Sequence, residues 1–269
     1  MTPDNPIQDL LDFIDRSPSP WHAVAAVEVA VQAFQFVKLD ETAKWQLQAG
    51  GRYYVKRDDS SIVLFVLGNQ APSDAGFKIV GAHTDSPGFR IRPHAATVSN
   101  GFARLGVEIY GGPILATFTD RDLSLAGRIS YLDEHGKLSY RLVRFDQPLL
   151  RLPNLAIHMN RGVNEDGLKL HKQNELPPLF AQLTGEQLPQ PYFLALLEQA
   201  SGIDAAQILS WDLAVYDTQK GAVWGANREF YANSQIDNLA SCHAGLQALL
   251  EDTVLNDARS TLVCAFFDH

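Results

Sequence analysis

The chain has 269 residues, enough for one large domain or two of ordinary size. Its net charge of −9, from 22 basic and 31 acidic residues, argues against a nucleic-acid-binding surface and against binding to an anionic membrane, because both need concentrated positive charge. The apolar fraction of 46% is typical of a globular protein with a sizeable core.

The first third of the chain predicts two helices, a hairpin and a strand. Pro6 follows the possible caps Asp4 and Asn5, and Ser19-Pro20 begins a second apolar helical pattern. The hairpin is expected at 52–57 and 62–66, and a short buried strand, FKIVG, at 77–81, running directly into AHTDSPGFR.

The remainder divides into a β-rich middle and a return to α/β character. Strands are expected at 107–110, 123–131 and 138–145, and a helix near 192–199. Beyond the middle part, the spacing of apolar residues predicts a helix ending near Leu250. The run TLVCAFF at 261–267 is typical of a central strand buried on both faces.

The N-terminus lacks the basic and apolar segments of a signal peptide, and no apolar run approaches the roughly 18 residues of a membrane span. The two cysteines, Cys242 and Cys264, lie far apart in apolar segments and are expected to be buried free thiols. A reducing cytoplasm is therefore the expected location.

An HxD pair follows the strand predicted at 77–81. Ligands of open α/β sheets bind beyond the carboxyl ends of strands, so His83 could offer a ring nitrogen to a metal, and Asp85 could orient a ligand or hold a catalytic carboxylate. The alternative is a buried histidine with satisfied hydrogen bonds, followed by a turn-capping aspartate. The pair alone does not decide between them.

Asp237 stands where a loop becomes a helix. Its two possible roles are an N-cap and a carboxylate that bridges two metal ions. His243, next to Cys242 on the same helix, is interpreted as structural. His158, in LPNLAIHMNR, is by itself more often a core or surface residue than a catalytic one.

The motifs together resemble the M18 aspartyl aminopeptidases along nearly the whole chain. GAHTDSP, YGG, DRDLSLAGR, LAIH, NELPP, YDTQ, DNLASCHAGLQAL and a final FDH occur in order. The resemblance implies an α/β fold: a zinc-aminopeptidase-like core with a mixed sheet flanked by helices, formed by residues 1–94 and 233–269. A β-rich oligomerisation domain, residues 95–232, would interrupt it.

The resemblance also implies roles for particular residues. His83 matches a metal ligand, Asp85 the aspartate that orients it, and Asp237 the bridging aspartate. His158 matches a catalytic histidine that serves a neighbouring subunit's site, with a direct metal role as a weaker alternative. Two divalent ions are implied, expected to be zinc, with cobalt or manganese as possible substitutes.

The family continues past the matching FDH with two glutamates, a general base and a metal ligand, and later with a further Asp and a His. The chain stops at His269, so we expect the parent protein to be longer. His269 itself is not assigned as a ligand. With two ligand positions, these 269 residues are expected to bind metal weakly and to show no measurable peptidase activity.

For the parent protein the expected function is removal of N-terminal residues, Asp or Glu, from peptides. The expected partners are such peptides and further copies of the chain, in a large assembly of dimers. Two alternatives stay open. One is another two-metal hydrolase on the same core, a leucine-type aminopeptidase or a deacylase; the other is a non-catalytic assembly module.

Overall fold

The computed structural model describes residues 5–251, 254–255 and 258–269. These residues form two compact units. The first contains the described residues up to Ser86 and from Lys220 onward, and the second is Pro87–Gln219. Each unit has its own hydrophobic core.

The first unit opens with helices and a hairpin. Their order is α1 (Pro6–Asp15), α2 (Pro20–Gln32), β1 (Val37–Lys38), β2 (Arg52–Arg57), β3 (Ser61–Val66), α3 (Pro72–Ala75) and β4 (Phe77–His83). The cap predictions are confirmed, because the side chains of Asn5 and Ser19 accept hydrogen bonds from the first turns of α1 and α2.

The second unit is built mainly of strands. It contains β5 (Gly88–Ser99), β6 (Phe102–Tyr110), β7 (Leu123–Leu132), β8 (Leu138–Arg144), α4 (Val163–Asp166), β9 (Leu179–Gln182), α5 (Pro189–Ser201) and β10 (Ile208–Asp217), with two short 3₁₀ segments. The strands form one antiparallel sheet in the order β8-β7-β10-β5-β6-β9, and α5 packs against β5 and β8.

The chain then returns to the first unit with β11 (Ala222–Trp224), β12 (Phe230–Ala232), α6 (Ile236–Leu250) and β13 (Thr261–Phe267). The main sheet of this unit has the order β1-β2-β3-β13-β4. It is mixed, as expected, because β1 pairs with β2 and β13 with β4 in parallel, whereas β2 with β3 and β3 with β13 are antiparallel. Helices α1, α2 and α6 share one apolar core with this sheet.

The units divide at residues 86/87 and 219/220, whereas the sequence-based boundaries lie at 94/95 and 232/233. Strand β5 accounts for the first difference, because it begins at Gly88 and pairs with β6 from there. The β11–β12 hairpin accounts for the second difference, because it belongs to the first unit.

The prediction that FKIVG is buried is wrong. Phe77 is 58% exposed, Ile79 67% and Val80 47%. In the described part of the chain β4 is the last strand of its sheet and pairs with β13 alone. Strand β13 lies between β3 and β4 and is buried over much of its length.

No helix in the described residues is both long enough and apolar enough to cross a membrane.

Candidate metal centre

The candidate centre lies at the carboxyl ends of the parallel strands β4 and β13. His83 is the last residue of β4 and is paired with Phe267, the last residue of β13. The next residue, Thr84, is buried and fixes the turn: its N–H donates to Phe267 O at 2.7 Å, and its hydroxyl to Ser60 O at 2.8 Å. The HTD segment therefore starts from a rigid position at the end of the sheet.

His83 is oriented by Asp85. Its Nδ1 lies 3.0 Å from the Asp85 carbonyl oxygen and 3.4 Å from Asp85 Oδ1. A carbonyl oxygen can only accept, so Nδ1 carries a proton, and in the neutral imidazole the lone pair is then on Nε2. Metal-binding histidines commonly have this arrangement, in which a carbonyl or carboxylate fixes the tautomer. Asp85 is itself buried.

Asp237 faces the free nitrogen of His83. Its Oδ1 lies 3.6 Å from His83 Nε2, and its side chain is 82% exposed. The backbone at Asp237 is not helical, and the Asp237–Asn238 peptide is cis. Ser86 Oγ donates to the Asp237 carbonyl at 2.9 Å, which connects the HTDSP turn to the start of α6.

Asp237 does not cap α6 with its side chain in this structure. The assigned cap residue, Gln235, makes no side-chain cap bond, and among the described residues the carboxylate of Asp237, which lies at a non-helical kink, accepts no hydrogen bond from a helix N–H. The Asp237 carboxylate is instead directed to the same space as His83 Nε2.

The donor set suits a zinc-type ion. Imidazole nitrogen and carboxylate oxygen bind zinc at about 2.0–2.2 Å, so two ligands of one ion lie roughly 3 to 3.5 Å apart. The 3.6 Å separation of His83 Nε2 and Asp237 Oδ1 is close to that value. In the described residues, however, no group of three or more His, Cys, Asp and Glu side chains is arranged to hold a metal. The two candidate ligands are fewer than the four of a tetrahedral site.

Comparison with known proteins decides the family. The family model described as "Aminopeptidase I zinc metalloprotease (M18)" matches residues 13–269. The chain belongs to the M18 family. It is 48% identical over 265 residues to the Probable M18 family aminopeptidase 2 of Pseudomonas paraeruginosa (strain DSM 24068 / PA7), covering 97% of this chain and 60% of that relative. It therefore spans less than two thirds of that M18 relative's length.

Solved structures agree with the M18 fold. The structure "Cryo-EM structure of the Ape4 and Nbr1 complex" matches with a TM-score of 0.92 at 34% identity, over 98% of this chain and 54% of that one. The "Structure of S. cerevesiae mApe1 dodecamer" matches with a TM-score of 0.79 over 97% of this chain and 60% of that one. Its 21% identity supports the fold alone.

His158 lies in the second unit of this M18 chain, within an exposed loop between Leu152 and α4. The structure thus brings His83, Asp85 and Asp237 together within the first unit and places His158 in the other.

Two other histidines of the first unit, His243 and His269, are not among the candidate metal ligands. His243 is buried, and its Nε2 lies 2.7 Å from Asp9 Oδ2, in agreement with a structural role that joins α6 to α1. The ring of His269 lies beside that of His83, with centroids 5.6 Å apart. Neither residue was assigned to the M18 metal site from the sequence.

The sequence did not indicate that Cys242 supports the site. Its Sγ donates to the His83 carbonyl at 3.2 Å, so α6 contacts the end of β4 directly behind the candidate ligand. Burial, and then the nearby Asp85 carboxylate and Cys264, raise the pKa of Cys242 to about 12. The thiol is therefore neutral and acts as a hydrogen-bond donor. The helical spacing of apolar residues placed Cys242 in the core but gave no information about this contact.

Proposed function

We propose that this chain forms the first part of the catalytic unit of a two-metal M18 aminopeptidase, which removes N-terminal Asp or Glu from peptides in the cytoplasm. The observation that carries the proposal is the 3.6 Å approach of Asp237 Oδ1 to His83 Nε2, at the carboxyl end of a parallel strand pair. A histidine whose Nδ1 is held by a hydrogen bond can offer Nε2 to a metal, and a solvent-accessible carboxylate can be a second ligand.

Each residue has a defined part in this proposal. His83 binds one ion through Nε2, while the Asp85 carbonyl holds its Nδ1–H and the Asp85 carboxylate increases the basicity of the ring. Asp237, whose carboxylate is exposed and faces His83 Nε2, would be the carboxylate ligand that the two ions share. When bound, two divalent ions polarise a scissile carbonyl and lower the pKa of a shared water. Zinc is the expected metal, with cobalt or manganese able to serve similar donors.

His158 is proposed to act from a neighbouring subunit. An imidazole N–H directed at the carbonyl oxygen stabilises the negative charge that develops there, and the loss of one such donor costs about 100- to 1000-fold in kcat. The exposure of the His158 loop supports a role outside its own unit. The homo-oligomeric assembly this requires is in keeping with the dodecamer named for mApe1.

The test compares variants of the complete protein that contains this chain. We expect it to hydrolyse N-terminal Asp and Glu substrates faster than Leu substrates, to lose activity with a chelator and to regain it with zinc. Asp237→Asn and His83→Ala should each lower kcat/KM by at least about 100-fold, because each removes a ligand. His135→Ala is the matched control, since His135 lies in an exposed turn of the second unit and should leave kcat/KM unchanged.

Other outcomes identify the alternatives. A preference for Leu, or for N-acyl substrates, would assign the core to a leucine-type aminopeptidase or a deacylase. A complete protein that assembles but does not hydrolyse any of these substrates in the presence of metal would support the assembly module. The 269-residue chain alone is expected to be inactive, so measurable hydrolysis of an Asp substrate by it would contradict the partial-site proposal.

A further inference from the structure

The loop that carries His158 projects from the second unit with exposed apolar side chains. Leu155 is 55% exposed, Ile157 45% and Met159 71%. The backbone bonds within the loop are turn bonds, from Met159 N to Ala156 O at 2.8 Å and from Asn160 N to Ile157 O at 3.3 Å. The position of His158 therefore depends on how the base of the loop is held.

Asp120 holds that base with three hydrogen bonds. Its own N–H donates to Leu152 O at 2.9 Å. Its two carboxylate oxygens accept from Asn154, one from the backbone N–H and the other from the side-chain amide, both at 3.0 Å. The same amide donates to Thr119 Oγ1 at 3.0 Å. Asp120 has a φ of 57°, the left-handed conformation that aspartate tolerates in turns.

These bonds favour the ionised form of the Asp120 carboxylate. The backbone N–H of Asn154, and then its side-chain amide, lower the pKa of Asp120 against a small opposing effect of burial, and Arg151 adds to the lowering. At neutral pH both carboxylate oxygens are therefore acceptors.

The hydrogen bonds of Asp120 are separate from the backbone bridges that hold the neighbouring segment to the sheet. The bridge between Leu123 and Leu150 and that between Arg151 and Leu179 hold the preceding segment to β7 and β9. An ion pair between Arg151 and Asp122 reinforces them. Asp120 and Asn154 are both exposed, so their replacement leaves the apolar core of the unit intact.

We infer that Asp120 and Asn154 are positioning residues, which fix the base of the loop so that His158 is presented in one place. The inference rests on the proposed function of His158. His158 lies four positions after Asn154, so rotation of the loop at a freed base would displace the imidazole by ångströms. A misplacement of about 1 Å can cost about 100-fold in rate.

The activity test is a double-mutant cycle in the complete protein. Asp120→Ala should lower kcat by about 10- to 100-fold with a smaller change in KM. The double variant with His158→Ala should be no slower than His158→Ala alone, because Asp120 acts through His158. Asp120→Asn retains one oxygen acceptor and should recover part of the rate.

Asp133→Ala is the matched control. Asp133 is a partly exposed turn aspartate of the same unit, which accepts the backbone N–H groups of His135 and Lys137 in the β7–β8 turn. Its replacement should leave kcat unchanged.

A second measurement needs no activity. In the 269-residue chain, Asp120→Ala should speed trypsin cleavage after Arg161, an exposed residue near the end of the loop, and Asp133→Ala should not. Additive kcat losses in the double variant, or unchanged cleavage after Arg161, would overturn the inference and leave the proposed function intact. Full activity of His158→Ala would instead refute the role proposed for His158 and with it the catalytic effect of Asp120.

Discussion

At the scale of single residues, Tyr54 in the first unit belongs to a cluster of charged side chains that sets its ionisation. Its Oη donates to Glu28 Oε1 at 2.8 Å, and Lys56 Nζ lies 2.9 Å from Glu28 Oε2. Burial, and then the Glu28 carboxylate, raise the pKa of Tyr54 to about 12. Burial alone would raise the pKa of Glu28, but the hydrogen bonds from Lys56 and Tyr54 outweigh it, and the pKa is lowered.

This cluster predicts a loss of stability in alkaline solution. A raised tyrosine pKa means that folding favours the neutral phenol, so its contribution is complete below the unfolded pKa near 10 and is lost as pH rises to about 12. The free energy of unfolding, from denaturant titrations at increasing pH, should fall in that window. Tyr54→Phe should remove this contribution. An identical decline in both proteins would show that Tyr54 is not its source.

The site residues were predictable where a motif spans a few positions, and not where the contact is long-range. His83, Asp85 and Asp237 were singled out from a strand end and a helix start. The Asp120–Asn154 contact joins residues 34 apart. Cys242 meets the His83 carbonyl across 159 positions. The local spacing of residues does not predict such contacts, because they depend on which elements the fold brings together.

At the scale of elements, the starts of α1 and α2 could be read from their caps and β13 from its continuous apolar run, but β4 and β5 could not. Strand β5 was not predicted. Pro93 and His94 interrupt its pattern, and there the register with β6 shifts, between Ile91 and Ala96. The exposure of β4 was also not predictable, since an apolar strand pattern is the same in the middle of a sheet and at its edge.

The pair of β7 and β10 gives an element-scale prediction. Gly127 pairs with Leu213, and a Cβ at position 127 would overlap the Asp212 carbonyl oxygen and lie 3.0 Å from Leu213 Cα. Both are backbone atoms in a central ladder, so a side-chain rotation cannot relieve the clash. Gly127→Ala should lower the free energy of unfolding by about 3 kcal/mol or more.

Gly112→Ala is the control in the same unit, because a Cβ there has no neighbour within 4 Å among the described residues. It should change stability by less than about 0.5 kcal/mol. Equal stability of the two variants in denaturant titrations would show that β10 can move away from β7 at little cost.

At the scale of the whole chain, the main sheet of the first unit ends at β4 with apolar side chains in solvent. An exposed apolar edge strand favours pairing with another chain, and a charge on such a strand is an effective block. The 269-residue chain is therefore expected to self-associate as its concentration rises. Ile79→Lys should reduce this association without lowering thermal stability, since Ile79 is exposed and outside the core.

The control for that prediction is Val29→Lys, which adds the same charge at an exposed apolar position of α2. Sedimentation velocity over a concentration series distinguishes strand pairing at β4 from an effect of the added charge that does not depend on its position. If the β4 edge drives association, Ile79→Lys lowers the average mass and Val29→Lys leaves it close to the unmodified chain, because a helix surface offers no unpaired backbone groups. An equal decrease in both variants would contradict strand pairing at β4. The change in net charge would not explain it either, because an added Lys brings the net charge of −9 closer to zero and weakens repulsion between copies.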